Sequence, residues 1–190
     1  TLTRQSEVDS FPINYPGCDV VEGYLIISGN DIVNIDSLIH IKKVNYRLAI
    51  ADNPILENLY GLDSVLFVSE FEIYGNNSLL SLKGINNLTS TNELRINNND
   101  RLVNMKGLTN LKYARSFTII GNKNLLDLEG LNSIHEVFNI FISGNSELIN
   151  LNGVQTLSII DNFHVSDNDK LINFKGFENI TTTHQHCIIT

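Results

Sequence analysis

The sequence predicts a mainly β fold: a single right-handed parallel β-solenoid of 23-residue coils behind a short N-terminal capping helix. Three observations predict it. Seven Asn recur at one 23-residue step: Asn30, Asn53, Asn76, Asn99, Asn122, Asn145 and Asn168. Six Gly keep the same step at Gly61, Gly84, Gly107, Gly130, Gly153 and Gly176. Apolar residues hold register around each Asn, with Ile27, Ile50, Ile73, Ile96, Ile119, Ile142 and Val165 three before it and Val33, Leu56, Leu79, Leu102, Leu125, Leu148 and Leu171 three after it.

The elements follow in chain order. Residues 1–17 lack the repeat and form a cap, in which Ser6–Phe11 reads as a helix capped by Ser6 and stopped by Pro12. Val8 and Phe11 then share one face as a lid over the first coil. Residues 18–190 form the solenoid, seven coils plus the first strand of an eighth. Before each Asn, apolar and polar residues alternate, which marks a strand with one face in the core. Strands one coil apart lie parallel at about 4.8 Å. After each Asn the apolar residues come every third position, as in Leu56, Leu59, Leu62 and Val65, with a Gly inside the run. That pattern gives turned coil segments rather than a 3.6-residue helix. In the first coil Asp36-Ser37-Leu38 replaces the Lys-Gly-Leu type of turn, and the register slips by one. The last strand, Thr183–Thr190, places Ile188 in the inward column. Its uncovered edge offers pairing to a second copy, and the chain reads as a piece of a longer one.

The repeated Asn sits where each strand ends. Its amide can satisfy backbone groups of the turn and bond to the Asn of the next coil, so the row reads as a structural ladder. The 27 Asn of the chain are thereby explained in part.

Composition bounds the function. With 13 Lys and Arg against 21 Asp and Glu, a net charge of -8 argues against coating nucleic acid or an anionic bilayer. No apolar run reaches the roughly 20 residues of a membrane helix, so no membrane insertion is expected. The chain opens at Thr1 without a charged-then-apolar leader, so any export signal is expected to have been removed already. Cys18 and Cys187 lie at opposite ends, roughly 34 Å apart at seven strand spacings. That is beyond the roughly 7 Å a disulfide spans. Either each is a reduced thiol or each has a partner outside this segment. His184 and His186 share a strand face that Cys187 leaves, so no metal or other cofactor is expected there.

The run Cys18-Asp19-Val20-Val21-Glu22-Gly23-Tyr24-Leu25-Ile26-Ile27 resembles the opening of receptor L domains. The coils resemble leucine-rich repeats, with Val68, Phe71, Ile73 and Asn76 on the Leu-x-x-Leu-x-Leu-x-x-Asn pattern. The stretch from Glu7 to Cys18, followed by regular coils, is similar to secreted Bacteroidetes surface proteins. The resemblance implies an extracellular or cell-surface module for recognition or adhesion, meeting an extracellular protein or glycan through its sheet face.

The outward strand positions supply the candidate site. Arg47, Glu72, Tyr74, Arg95, Ile120, Phe141 and His164 put exposed aromatic and aliphatic groups beside charges, the composition of binding hot spots. A structural spacer or stalk within a larger surface protein is the competing class. A remote third is a polysaccharide-active enzyme using Glu70 and Glu93, whose carboxylates on adjacent strands would lie about 5 Å apart, the retaining-glycosidase spacing. An open face without a pocket argues against that chemistry. Asp167-Asn168-Asp169 reads as a solvated turn rather than a calcium loop. The sequons at Asn76, Asn87 and Asn179 are expected by chance in so Asn-rich a chain.

Overall fold

The computed structural model describes residues 1–183 and 187–189, with side chains as far as residue 181. The fold is a parallel β-solenoid of about six turns, as the 23-residue period requires. Two short helices, α1 (Gln5–Asp9) and α2 (Phe11–Asn14), precede strands β1 (Val20–Val21), β2 (Leu25–Ile27), β3 (Lys43–Ala51), β4 (Phe67–Tyr74), β5 (Ser90–Asn97), β6 (Tyr113–Ile120), β7 (Glu136–Ser143), β8 (Ile159–Ser166), β9 (Thr182–Thr183) and β10 (Cys187–Ile189). All pair in parallel in one sheet, running β1-β3-β4-β5-β6-β7-β8-β10, with β2 also on β3 and β9 also on β8.

The register follows the sequence period. Leu48, Phe71, Leu94, Phe117, Ile140 and Phe163 stand opposite one another across six strands. Beyond the ladder Asn, Leu56, Leu59, Leu62 and Val65 are each fully buried. The amides of Leu56, Leu62 and Val65 bond to carbonyls three residues back. The every-third pattern is therefore a chain of tight turns pointing each aliphatic residue inward. Among the described residues a 3₁₀ helix forms only in the first coil, at Asp36–Leu38.

The ladder is built as its chemistry demands. Asn76 Oδ1 accepts from the amide N–H of Asn53 at 3.1 Å and from its Nδ2 at 3.0 Å. Asn76 Nδ2 donates to the carbonyls of Ile50 and Tyr74 and to Asn99 Oδ1. The same bonds recur to Asn168, so the buried backbone at each bend is satisfied. Opposite the ladder, Gly107 adopts φ +128°, and a Cβ there would stand 2.1 Å from the carbonyl oxygen of Leu82. Only glycine lets adjacent coils approach so closely.

The first coil departs from the rest, and two expectations are corrected there. Asn30 is exposed and takes no part in the ladder. The amide of Gly29 donates to Asn53 Oδ1 at 2.9 Å instead. Val33 is 51% exposed, and Ile32 fills the core in its place. In later coils the residue before each ladder Asn, such as Asp52, Gly75 or Asn98, has positive φ. The first coil omits that residue, so everything from Gly29 to Val44 sits one position early. A register irregularity between Val44 and Arg47 of β3 restores the count. The cap is corrected as well. The residue capping α1 is Arg4, not Ser6. Glu7 reaches back to the Thr3 N–H at 2.6 Å, which holds its carboxyl below the ordinary range. Pro12 stops nothing; it lies in the first turn of α2, where its missing N–H is harmless.

The cap does cover the first coil. Leu2 pairs with β2 as an extra strand, through Leu2 N–H to Ile26 O and Ser28 N–H to Leu2 O. Gln5 Oε1 accepts from the amides of Val33 and Asn34. Val8 and Phe11 are buried as expected. At the far end, Ile188 stands opposite His164, and Ile189 opposite Val165. Thr182 and Thr183 of β9 keep the 23-residue step, opposite Ile159 and Ile160, but β10 is one residue out of the register expected for Ile188. The side chains of His184, His186 and Cys187 lie outside the described residues. Cys18 is a free, half-buried thiol.

Candidate functional site

Strands β3 to β8 present their outward columns on one broad face. In register these are Arg47, Glu70, Glu93, Ser116, Asn139 and Asn162; Ala49, Glu72, Arg95, Thr118, Phe141 and His164; and Ala51, Tyr74, Asn97, Ile120, Ser143 and Ser166. Alternation along each strand fixes which side chains face out, and the constant step fixes which ones meet.

Six of the seven candidate residues separate into two groups, and Tyr74 belongs to neither. Toward the N-terminal end, Glu72 is buried and held between two guanidinium groups, those of Arg47 and Arg95, the latter at 2.6 Å. Arg95 also engages Glu93. Arg47 stands beside Glu70 in register, but its guanidinium reaches diagonally to Glu72, because the position beside Glu72 is Ala49, whose methyl leaves room. Arg47 Nε is buried without a hydrogen-bond partner. This network neutralises itself and fixes long side chains in place.

Toward the C-terminal end the surface is neutral. The rings of Phe141 and His164 stack at 4.5 Å between centroids, nearly parallel at 4°. They line a shallow depression of about 530 Å³ together with Ser116, Thr118, Ile120, Asn139 and Asn162. Asn162 Nδ2 donates to Asn139 Oδ1 at 2.9 Å. Behind the rings, His164 Nε2 meets Ser166 Oγ at 3.0 Å, and Ser166 donates to Ser143 at 3.0 Å. These bonds hold the imidazole upright against Phe141. Tyr74 shares a column with Ile120 but is separated from it by Asn97, so it lies outside this depression.

Glu70 and Glu93 are neighbours in register. With Arg115, Asn92, Ser69, Ser116 and Asn139 they line a polar hollow of about 510 Å³. Arg115 and Asn92 belong to an outward column that alternation alone misses. The signal was present: the buried positions Val68 and Phe71 are three apart, which turns two successive residues outward. No cluster of three or more His, Cys, Asp or Glu suited to a metal occurs among the described residues. Of the three sequons, Asn76 is a buried ladder residue, whereas Asn87 and Asn179 are exposed. Comparison with protein-family models, with curated proteins and with solved structures finds no match to the chain.

Proposed function

We propose that the chain is a non-catalytic recognition module that binds a protein or a glycan through the outward face of its parallel sheet, at or outside the cell surface. The observation that carries this reading is the Phe141–His164 stack in a neutral depression lined by amides and hydroxyls. An aromatic pair already ordered by stacking loses little entropy on contact, and its neighbours offer both donors and acceptors. The resemblance of the coils to receptor L domains and leucine-rich repeats supports the same face. The acidic balance of the chain favours neither nucleic acid nor an anionic membrane. An enzyme built on Glu70 and Glu93 is disfavoured, because Arg95 engages Glu93 and an open sheet excludes no water.

A spacer within a larger surface protein is the second reading, favoured by the unbroken ladder from Asn53 to Asn168. A glycan array and a panel of extracellular proteins, probed with the chain and with the Phe141→Ala/His164→Ala variant, separate the two. The binding reading expects a ligand whose affinity falls at least about tenfold in the variant. A ligand held equally by the variant sinks the site, and the absence of any ligand leaves the spacer.

A further inference from the structure

A second regular surface lies away from the sheet, on the arm that follows each ladder Asn. Four residues past the ladder, five successive coils carry Leu80, Val103, Leu126, Ile149 and Ile172, which are 41%, 39%, 43%, 38% and 76% exposed. Isolated exposed aliphatic residues are ordinary, but five in one column form a continuous apolar stripe about 19 Å long at the strand spacing. Their backbones bond from coil to coil, as from Leu126 N–H to Val103 O and from Ile149 N–H to Leu126 O, while their side chains stay exposed. The candidate ligand site on the sheet does not use them.

We propose that this stripe is the interface of a two-fold dimer, packed against the same stripe of a second copy running antiparallel. A partner for such a row must offer apolar groups at the same repeat, and an identical chain supplies them by construction. Charge then selects one register. Charged columns flank the stripe. One holds Lys83, Lys106, Glu129 and Lys175; the other side holds Asp100, Arg101, Lys123, Glu147, Asp169 and Lys170. Within the chain these form pairs between adjacent coils, Lys106–Glu129 at 2.9 Å, Lys123–Asp100 at 2.8 Å and Lys170–Glu147 at 2.6 Å.

An antiparallel two-fold brings each column against itself in reverse order. With the axis between the coils of Asn99 and Asn122, Val103 meets Leu126 of the second copy and Leu80 meets its Ile149. Lys106 then faces Glu129 of the second copy, and Asp100 faces its Lys123, with no like charges opposed. Placing the axis on either of those coils sets Lys106 against Lys106 or Glu129 against Glu129. Moving it one coil further toward the C-terminus sets Lys106 against Lys175 and Asp100 against Asp169. A parallel two-fold sets Glu57 against itself. Like charges directly opposed are unfavourable, so among the registers that pair at least four of the five stripe residues a single one remains. The stripe is narrow, which places the dimer among weak, transient associations.

Sedimentation equilibrium of the 190-residue chain from micromolar to millimolar concentration tests this. The expected result is a monomer–dimer equilibrium whose dissociation constant rises about a hundredfold with Leu126→Asp, a surface substitution that leaves the melting temperature nearly unchanged. Ile149→Lys gives a second variant with the same expectation should the first unfold. Lys106→Glu and Glu129→Lys supply the register test. Each variant alone associates at least about tenfold more weakly, and an equimolar mixture forms heterodimer, because the reversed charges face each other only across unlike copies. A chain monomeric throughout, or a dimer indifferent to Leu126→Asp and Ile149→Lys, overturns the proposal. So does a mixture that associates no better than its parts. Association abolished by Phe141→Ala instead would place the contact on the sheet face.

Discussion

The first coil and the coils that follow it carry the same numerical period but not the same backbone. From Asn53 to Asn145 every bend holds a positive-φ residue, then a buried Asn that bonds to the coils on either side. The first bend has lost the positive-φ residue, Gly29 stands where an Asn would, and Asn30 points into solvent. The irregularity before Arg47 in β3 puts the missing residue back one strand later. The difference teaches that the ladder needs an Asn only where there is a coil to reach back to. Nδ2 of each interior Asn donates to a carbonyl 26 residues earlier, whereas the first bend has only the cap behind it. There a plain amide suffices, and a glycine allows the Thr3 carbonyl to close on the bend.

The sharpest way to break the comparison is to add one methyl group where a later coil stacks on its neighbour and one where the first coil stacks on the cap. At Gly107, alanine combines an unfavourable φ with a Cβ only 2.1 Å from the Leu82 carbonyl, between two stacked coils. Gly107→Ala is expected to lower stability by about 3–5 kcal/mol in urea unfolding. At Gly29 the obstructing atom is the Thr3 carbonyl, also 2.1 Å away, but it belongs to the cap. Gly29→Ala should therefore act mainly on the cap, with a smaller loss of about 1–2 kcal/mol and faster hydrogen exchange at Leu2 and Ser28. Gly23, with open space around it, is the control. Equal losses at Gly107 and Gly29 would mean that the cap is as integral as any coil.

Next in size is the ladder itself. Asn99→Ala leaves the Asn76 amide N–H without its acceptor and takes one partner each from Asn76 Nδ2 and the Ile73 carbonyl. The expected cost is about 1–3 kcal/mol. Asn30→Ala removes an exposed side chain at the same numerical position and should change stability by no more than about 0.5 kcal/mol. Comparable losses at the two positions would contradict the displaced register of the first coil.

How much of this was legible depended on whether the deciding contact repeats. The sheet register, the inward columns and the glycine bends follow from rules applied identically in each coil, so one 23-residue grid exposed them all. The slip showed at Asp36-Ser37-Leu38, but its start at Asn30 was hidden because Asn30 and Val33 still fall on the 23-residue grid. Single events were hidden for a related reason. Arg47 turns to Glu72 only because residue 49 is alanine, and Glu7 bonds to Thr3 without Ser6 acting as the cap. Of the candidate site, the columns were readable but their division into a charged network and a neutral stack was not, since that depends on side-chain reach across strands. The aliphatic stripe was readable on the same grid, but it lies on the arm rather than the sheet.

The smallest expected effect concerns a single charge in an otherwise neutral column. Five residues past the ladder stand Asn58, Ser81, Asn104, Asp127, Asn150 and Asn173, and each side-chain oxygen accepts the amide two residues on. Only Asp127 is ionisable. Burial, aided by the nearby Glu129 carboxylate, raises its pKa above the ordinary 3.8, against the opposing pull of the Glu129 amide and Lys106. A carboxyl whose folded pKa is raised penalises the native state once it ionises, so the penalty is present at neutral pH and disappears as pH falls through that raised value. Asp127→Asn keeps the acceptor and removes the charge. The variant should be more stable than the parent at pH 7 by about 0.3–0.5 kcal/mol, a small value because the half-buried carboxyl is still partly screened by water. Urea midpoints of both proteins across a pH series should converge toward acid. A gap that stays constant with pH would trace the gain to something other than this carboxylate.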